Sequence, residues 1–183
     1  GIGKKIIEAC PDCKGKGYTK VSTKVTLNIP AGADTGSYLR KPGFGEASKN
    51  GGEAGDLIVV IKVEPSKLFR RKNFDLYVNV PISVTTAALG GTVKVPLIDD
   101  IMEYTIPEGT QSGKIFFVRG KGIKTNRGTG DLYIEVTVEI PTKLTKAQKQ
   151  AFTDLQSQID VKQCSGMKQY RENMSAMYGT DPY

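Results

Sequence analysis

With 183 residues, 38% of them hydrophobic and 25% charged, the chain has the make-up of a folded protein of one large or two small domains. No apolar run approaches the ~20 residues that cross a bilayer as a helix, and nothing resembles a signal peptide, so no membrane is expected and a cytoplasmic location is. The net charge of +7 permits a nucleic-acid partner without arguing for one: the bases are interleaved with acids rather than with aromatics, and read as a solvated surface.

The chain opens on Gly1 and not on Met, as a piece cut from a longer chain would. Its first feature is "EACPDCKGKGYTK" (8–20), where Cys10 and Cys13 have the spacing of half a zinc site or of a redox pair. A redox pair is expected to open a helix, whose dipole lowers the thiol pKa, but the Lys-Gly-Lys-Gly that follows predicts a turn. Zinc takes four ligands, and the chain adds only Cys164 and no histidine. Three cysteines cannot close a disulfide framework and fit a reducing compartment. Cys164 reads as a plain tail residue.

Next the chain repeats itself. "VTLNIPAGADTGSYLRKPGFG" (25–45) and "MEYTIPEGTQSGKIFFVRGKG" (102–122) share Ile-Pro-x-Gly, a Gly four residues on, and then Gly-x-Gly. The offset is 107 − 30 = 77. After a variable loop the match resumes between "GDLIVVIKVEPSKLF" (55–69) and "GDLYIEVTVEIPTKLT" (130–145), at an offset of 131 − 56 = 75. Such a period is longer than a solenoid's and predicts two copies of one small unit. In each copy "VTLNI" or "EYTI" predicts a strand ended by Pro30 or Pro107, and a glycine turn follows. "SYLRK" and "KIFFVRG" then predict second strands. "DLIVVIKVEP" and "DLYIEVTVEIP" predict the clearest strands, the latter alternating as a sheet with one wet face does. The polar loops "GEASKNGGEAG" and "KTNRGTG" separate them.

Between the copies, "DLYVNVPI" and "TVKVPLI" predict strands and "SVTTAALGG" a short helix ended by Gly90. Thr145 predicts the N-cap of a helix over "KAQKQAFTDLQSQI", with Phe152, Leu155 and Ile159 on one face. The polar last twenty residues predict a frayed tail or one docked on a partner. The fold class is therefore mainly β: two tandem β-sandwich-like domains with short helices and a C-terminal helix. The expected divisions are 1–20 for the cysteine segment, 21–92 and 93–160 for the two β-domains, and 161–183 for the tail. No histidine, no paired acid and base and no phosphate loop in context are present, so an enzyme is not expected.

Several stretches together resemble the DnaJ family, heat-shock co-chaperones with a zinc region. "CPDCKGKG" fits its Cys-x-x-Cys-x-Gly-x-Gly repeat. "IPAGADTG", "GEAGDLIVVIKVEPSKLFRR", "DLYVNVPISVTTAALGG" and "RGKGI…GDLYIEVTVEIP" then follow in the order of its C-terminal substrate-binding domains. The likeness covers roughly residues 1–160. It implies that Gly1-Ile2-Gly3 ends a third cysteine repeat and that Cys10 and Cys13 belong to a fourth. Their zinc partners would then lie upstream, so the site is incomplete here and zinc is a cofactor of the full-length protein. It implies binding of unfolded polypeptides, with Val25 and Phe69 lining a groove on the first domain and Leu27, Ile29 and Leu68 as neighbours. It implies delivery to a DnaK-type chaperone, although the histidine-dependent motif that stimulates that partner is absent. It implies a homodimer, for which Phe152, Leu155 and Ile159 are the candidate contact. Two other readings stand beside it: a purely structural dimerisation module, and a zinc-ribbon nucleic-acid binder.

Overall fold

The computed structural model describes residues 11–13, 18–19, 21–48 and 52–182. Strands β1 (Tyr38–Lys41) and β2 (Leu57–Val60) pair antiparallel, Tyr38 opposite Val60 and Lys41 opposite Leu57. β3 (Phe69–Lys72) and β4 (Asp75–Ser83) follow, then helix α1 (Val84–Leu89). β5 (Gly91–Pro96) pairs antiparallel with β6 (Ile101–Ile106), Gly91 opposite Ile106. β7 (Ile115–Val118), the short hairpin β8 (Lys124–Thr125) and β9 (Gly128–Thr129), and β10 (Leu132–Glu139) complete the β structure. One sheet has the strand order β3-β4-β10-β7. Helices α2 (Lys146–Gln158) and α3 (Ser165–Tyr178) close the chain, with a 3-10 turn at Val161–Gln163 between them.

The chain divides into two compact units. Unit 1 comprises Gly1–Tyr77 and Phe117–Tyr133, and unit 2 comprises Val78–Phe116 and Ile134–Tyr183. The alternation of β4 decides its burial: Leu76, Val78, Val80 and Ile82 point inward, as do Leu132, Ile134 and Val136 of β10. With Val95 of β5, Ile106 of β6 and Ala87 of α1 they are the buried hydrophobic side chains among the described residues, the larger ones each contributing about 1.5–3 kcal/mol of burial. Ser83 caps α1, its Oγ accepting the Thr86 N–H at 3.0 Å. The last carbonyls of α1 are satisfied from the Pro107 turn: Gly109 N–H donates to Ala88 O and Thr110 N–H to Ala87 O. Thr145 and Gln148 form the reciprocal capping box expected of a Thr-x-x-Gln start to α2.

The repeat holds down to single hydrogen bonds. Gly36 N–H donates to Ile61 O and Ile61 N–H to Ser37 O; in the second copy Gly113 N–H donates to Val136 O and Val136 N–H to Lys114 O. Gly45 N–H donates to Gly55 O as Gly122 N–H does to Gly130 O. Thr35 Oγ1 accepts the Val63 N–H, and Ser112 Oγ the Val138 N–H. Gly36 and Gly113 have φ of 89° and 84°, a region that side chains beyond glycine rarely occupy. Gly45 and Gly122 allow close backbone approach: a Cβ at either would lie 2.6 Å from a carbonyl oxygen, that of Asp56 or Phe74.

Four sequence expectations need correction. Residues 25–29, expected as the strand "VTLNI", are in no strand, whereas the matching "EYTI" lies in β6. A strand needs a partner, and β6 has β5. The strand expected over "DLIVVIKVEP" is confined to the four residues of β2. The loop "KTNRGTG" contains the β8–β9 hairpin, with Thr125 Oγ1 donating to Gly128 O. The tail is not frayed: it forms α3, ended by Gly179 at φ 66°, and Cys164 is its N-cap residue.

Candidate functional site

The candidate site belongs to the first copy, around the segment that has lost its strand. Residues 21–30 are in no strand, and among the described residues none pairs with them as one. Val25 and Leu27 are half-buried, while Ile29 is 64% exposed. Two tethers hold the neighbourhood. Lys41, at the end of β1, donates from Nζ to Thr26 O at 3.2 Å and lies 4.4 Å over the Phe44 ring. Arg71, in β3, donates to Gly32 O at 2.7 Å and to Ala33 O at 2.9 Å, and its Nε lies 3.5 Å from an Asp34 carboxylate oxygen.

Phe69 opens β3 and is half-buried. Two residues before Arg71, it shares that residue's side of the strand, the side turned to the Pro30 turn. Leu68, just before β3, is 62% exposed. Ser66 Oγ orders this entry, accepting the Phe69 N–H at 3.1 Å and the Leu68 N–H at 3.2 Å. The arrangement offers main chain unpaired in any sheet among the described residues, with half-buried Val25, Leu27 and Phe69 in the same copy, which suits non-covalent capture of another chain. Sequence reading found the apolar residues but missed Arg71; the alternation of Phe69 and Arg71 in "FRRK" was the available signal.

Of the predicted zinc pair, Cys10 lies outside the described residues. Cys13 is a half-buried free thiol in a turn. Among the described residues no three of His, Cys, Asp or Glu stand together as metal ligands. No helix among the described residues is long and apolar enough to cross a membrane.

The third group of predicted residues lies on α2 and at its end. Phe152, Leu155 and the C-cap residue Ile159 are 38%, 49% and 48% exposed along one face. Phe152 also borders an open cavity of about 530 Å³, lined by Pro81, Val84, Pro141 and Leu144 among others. The one resolved pKa displacement in the described residues lies elsewhere: Tyr133 is raised above the ordinary tyrosine value, chiefly by desolvation and then by Asp75, Tyr77 and Asp131.

Residues 4–141 match the family model described as the DnaJ C terminal domain. The chain is 46% identical over 154 residues to the Chaperone protein DnaJ of Clostridium beijerinckii, covering 83% of this chain and 41% of that one. It is 41% identical over 172 residues to that of Clostridium acetobutylicum, covering 91% and 46%. It is 46% identical over 160 residues to that of Methanothermobacter thermautotrophicus, covering 86% and 42%. The chain thus spans less than half the length of these relatives, and what it shares with them runs through both copies of the repeat. The chain belongs to the DnaJ C-terminal domain family.

Proposed function

We propose that this chain is the client-holding part of a molecular chaperone: it binds unfolded polypeptides in extended form on the first copy of its repeat. The observation that carries the reading is the missing pairing. In the second copy β6 is covered by β5, whereas the matching residues 24–29 of the first copy are in no strand. An incoming chain adds its main-chain hydrogen bonds there, independent of sequence, and Val25, Leu27, Leu68 and Phe69 give a mild preference for apolar side chains. No chemistry is performed on the client, and the chain is not an enzyme in this reading.

The relatives named Chaperone protein DnaJ support the wider role in the whole protein, where held clients pass to a DnaK-type chaperone. Zinc there takes Cys10 and Cys13 as two of its four thiolates and stiffens the entry to the first copy. Two chains join through Phe152, Leu155 and Ile159, whose exposure on α2 supports the assignment. Two weak sites on one dimer then hold a client by effective concentration.

The test is a fluorescence-anisotropy titration of a labelled extended apolar peptide against the chain and its Phe69→Ala variant. Binding that survives high salt and weakens about ten-fold in the variant is expected, since truncating an aromatic anchor commonly costs at least 1–2 kcal/mol. A folded chain that binds no such peptide would overturn the reading and leave a dimerisation module.

A further inference from the structure

The basic charge is not spread as the sequence suggests. Unit 1 has 18 Lys and Arg against 9 Asp and Glu, a net of +9, while unit 2 has 8 against 10, a net of −2. Within unit 1 two stretches are basic without any acid. Residues 67–72 carry Lys67, Arg70, Arg71 and Lys72, and residues 119–127 carry Arg119, Lys121, Lys124 and Arg127. They are about 50 residues apart in sequence, and the fold brings both to the Pro30–Asp34 turn. From one stretch, Arg71 donates to the carbonyls of Gly32 and Ala33. From the other, Thr125 packs on Gly32 so closely that a Cβ there would lie 2.5 Å from its Cγ2. Ile123 N–H also donates to Phe74 O at 2.8 Å, fixing the second stretch to the β3–β4 turn.

The nearby carboxylates are already engaged. Asp34 faces Arg71 and accepts the Thr35 N–H at 2.7 Å. Asp75 accepts the Asp131 N–H at 2.8 Å, and Asp131 the Gly120 N–H at 2.7 Å. Lys72, Lys121, Lys124 and Arg127 are exposed, and no ion pair holds them among the described residues. We infer that this surface docks an acidic stretch of the polypeptide whose apolar part the first copy holds. The inference rests on the proposed client-holding function and adds a charge preference to it. An acidic peptide suits the surface better than a nucleic acid, because residues 119–127 supply no aromatic ring and Phe69, the one ring of residues 67–72, is half-buried and assigned to the apolar part of the client. Opposite charge across such a surface speeds encounter and selects partners, and salt screens it over about 10 Å at 0.1 M.

The experiment uses three labelled peptides with one apolar core and neutral, Asp/Glu-rich or Lys-rich flanks. Each is titrated at low and high salt against the chain and a Lys124→Glu/Arg127→Glu variant, with circular dichroism to confirm folding. The acidic flank is expected to tighten binding about ten-fold over the neutral one at low salt. That gain should vanish at high salt and in the variant, while the neutral peptide binds both chains alike. Equal affinity for acidic and neutral flanks, or a gain that persists in the variant, would overturn the inference and leave the client-holding reading intact. A single-stranded RNA that outcompetes the acidic peptide at the same salt would also overturn it. Failure of all three peptides on a folded chain would remove the client-holding reading and this inference together.

Discussion

Ile29 and Ile106 occupy the same place in the repeat, 77 residues apart, yet Ile106 is 1% exposed and Ile29 64%. The contrast extends along the copies. Leu132, Ile134 and Val136 are fully buried, while their counterparts Leu57, Val59 and Ile61 are only half-buried. Several turn bonds, however, recur in both copies, among them Gly36 to Ile61 with Gly113 to Val136 and Gly45 to Gly55 with Gly122 to Gly130. Turn geometry is local: glycines at fixed offsets and a carboxylate or hydroxyl in reach are enough to set it. Burial is not local: in the second copy β10 lies between β4 and β7 in a four-stranded sheet and β6 has β5 beside it, whereas in the first copy β1 and β2 form a sheet of two strands. The shared turn even serves different neighbours. Its second-copy form caps α1 through Gly109 and Thr110, and its first-copy form is gripped by Arg71.

The largest expected effect breaks this symmetry directly. Ile106→Ala should cost about 2–5 kcal/mol, as truncations in a closed core do. Ile29→Ala should stay within about 0.5 kcal/mol, the range of ordinary surface changes. Urea unfolding of both variants, with the slope checked for constancy, measures the difference. Equal losses would mean that residues 24–29 are packed like β6 in solution.

This contrast also marks how much was legible. The repeat, its turns, the mainly-β class and the capped α2 could be read because each is written in local chemistry: Pro-x-Gly, Thr-x-x-Gln, and the alternation of "IEVTVEI". The strand expected at Val25–Ile29 failed for a complementary reason. Its residues carry strand propensity as good as that of "EYTI", but propensity does not supply a partner. The candidate apolar residues were found by resemblance and pattern. Arg71, which fastens β3 to the turn, was not, since its partners are main-chain carbonyls about 40 residues earlier. The helix in the tail was not legible because α3 lacks a side-chain cap and has only a thin stripe of Met167, Tyr170, Met174 and Met177.

A smaller effect sharpens the comparison within the turns. Asp56 and Asp131 are counterparts, each accepting from the Gly that starts a Gly-x-Gly: Gly43 at 3.3 Å and Gly120 at 2.7 Å. Asp56 also pairs with Arg40, whose counterpart in the second copy is Phe117. Asp131 is half-buried with the shorter bond, so Asp131→Ala should cost about 1–2 kcal/mol. Asp56→Ala should cost less than about 1 kcal/mol, and a double-mutant cycle with Arg40→Ala should return only a few tenths, as exposed ion pairs do. A larger loss at Asp56 would show that the ion pair, and not the turn bond, organises the first copy.

The smallest effect concerns a group that only one copy has. Tyr133 corresponds to Ile58 in the repeat, and its ring stacks on Tyr77 at 4.7 Å and 9°, with Phe117 at 5.4 Å. Its phenolate is disfavoured first by desolvation and then by the charges of Asp75, an ionised Tyr77 and Asp131, so its pKa is raised in the fold. A raised acid pKa means that the folded state keeps the proton longer than the unfolded chain. The contribution to stability is therefore complete below the unfolded tyrosine pKa of about 10 and is lost as pH climbs through the folded value. An absorbance titration of the phenols should show a late transition that disappears in Tyr133→Phe. Asp75→Asn and Asp131→Asn should each move it down only part of the way, because desolvation by the neighbouring rings is the larger cause and survives both changes. A full return to the ordinary tyrosine value in either variant would place the cause in the carboxylates instead and remove the aromatic stack as the feature that sets the second copy's wet face apart.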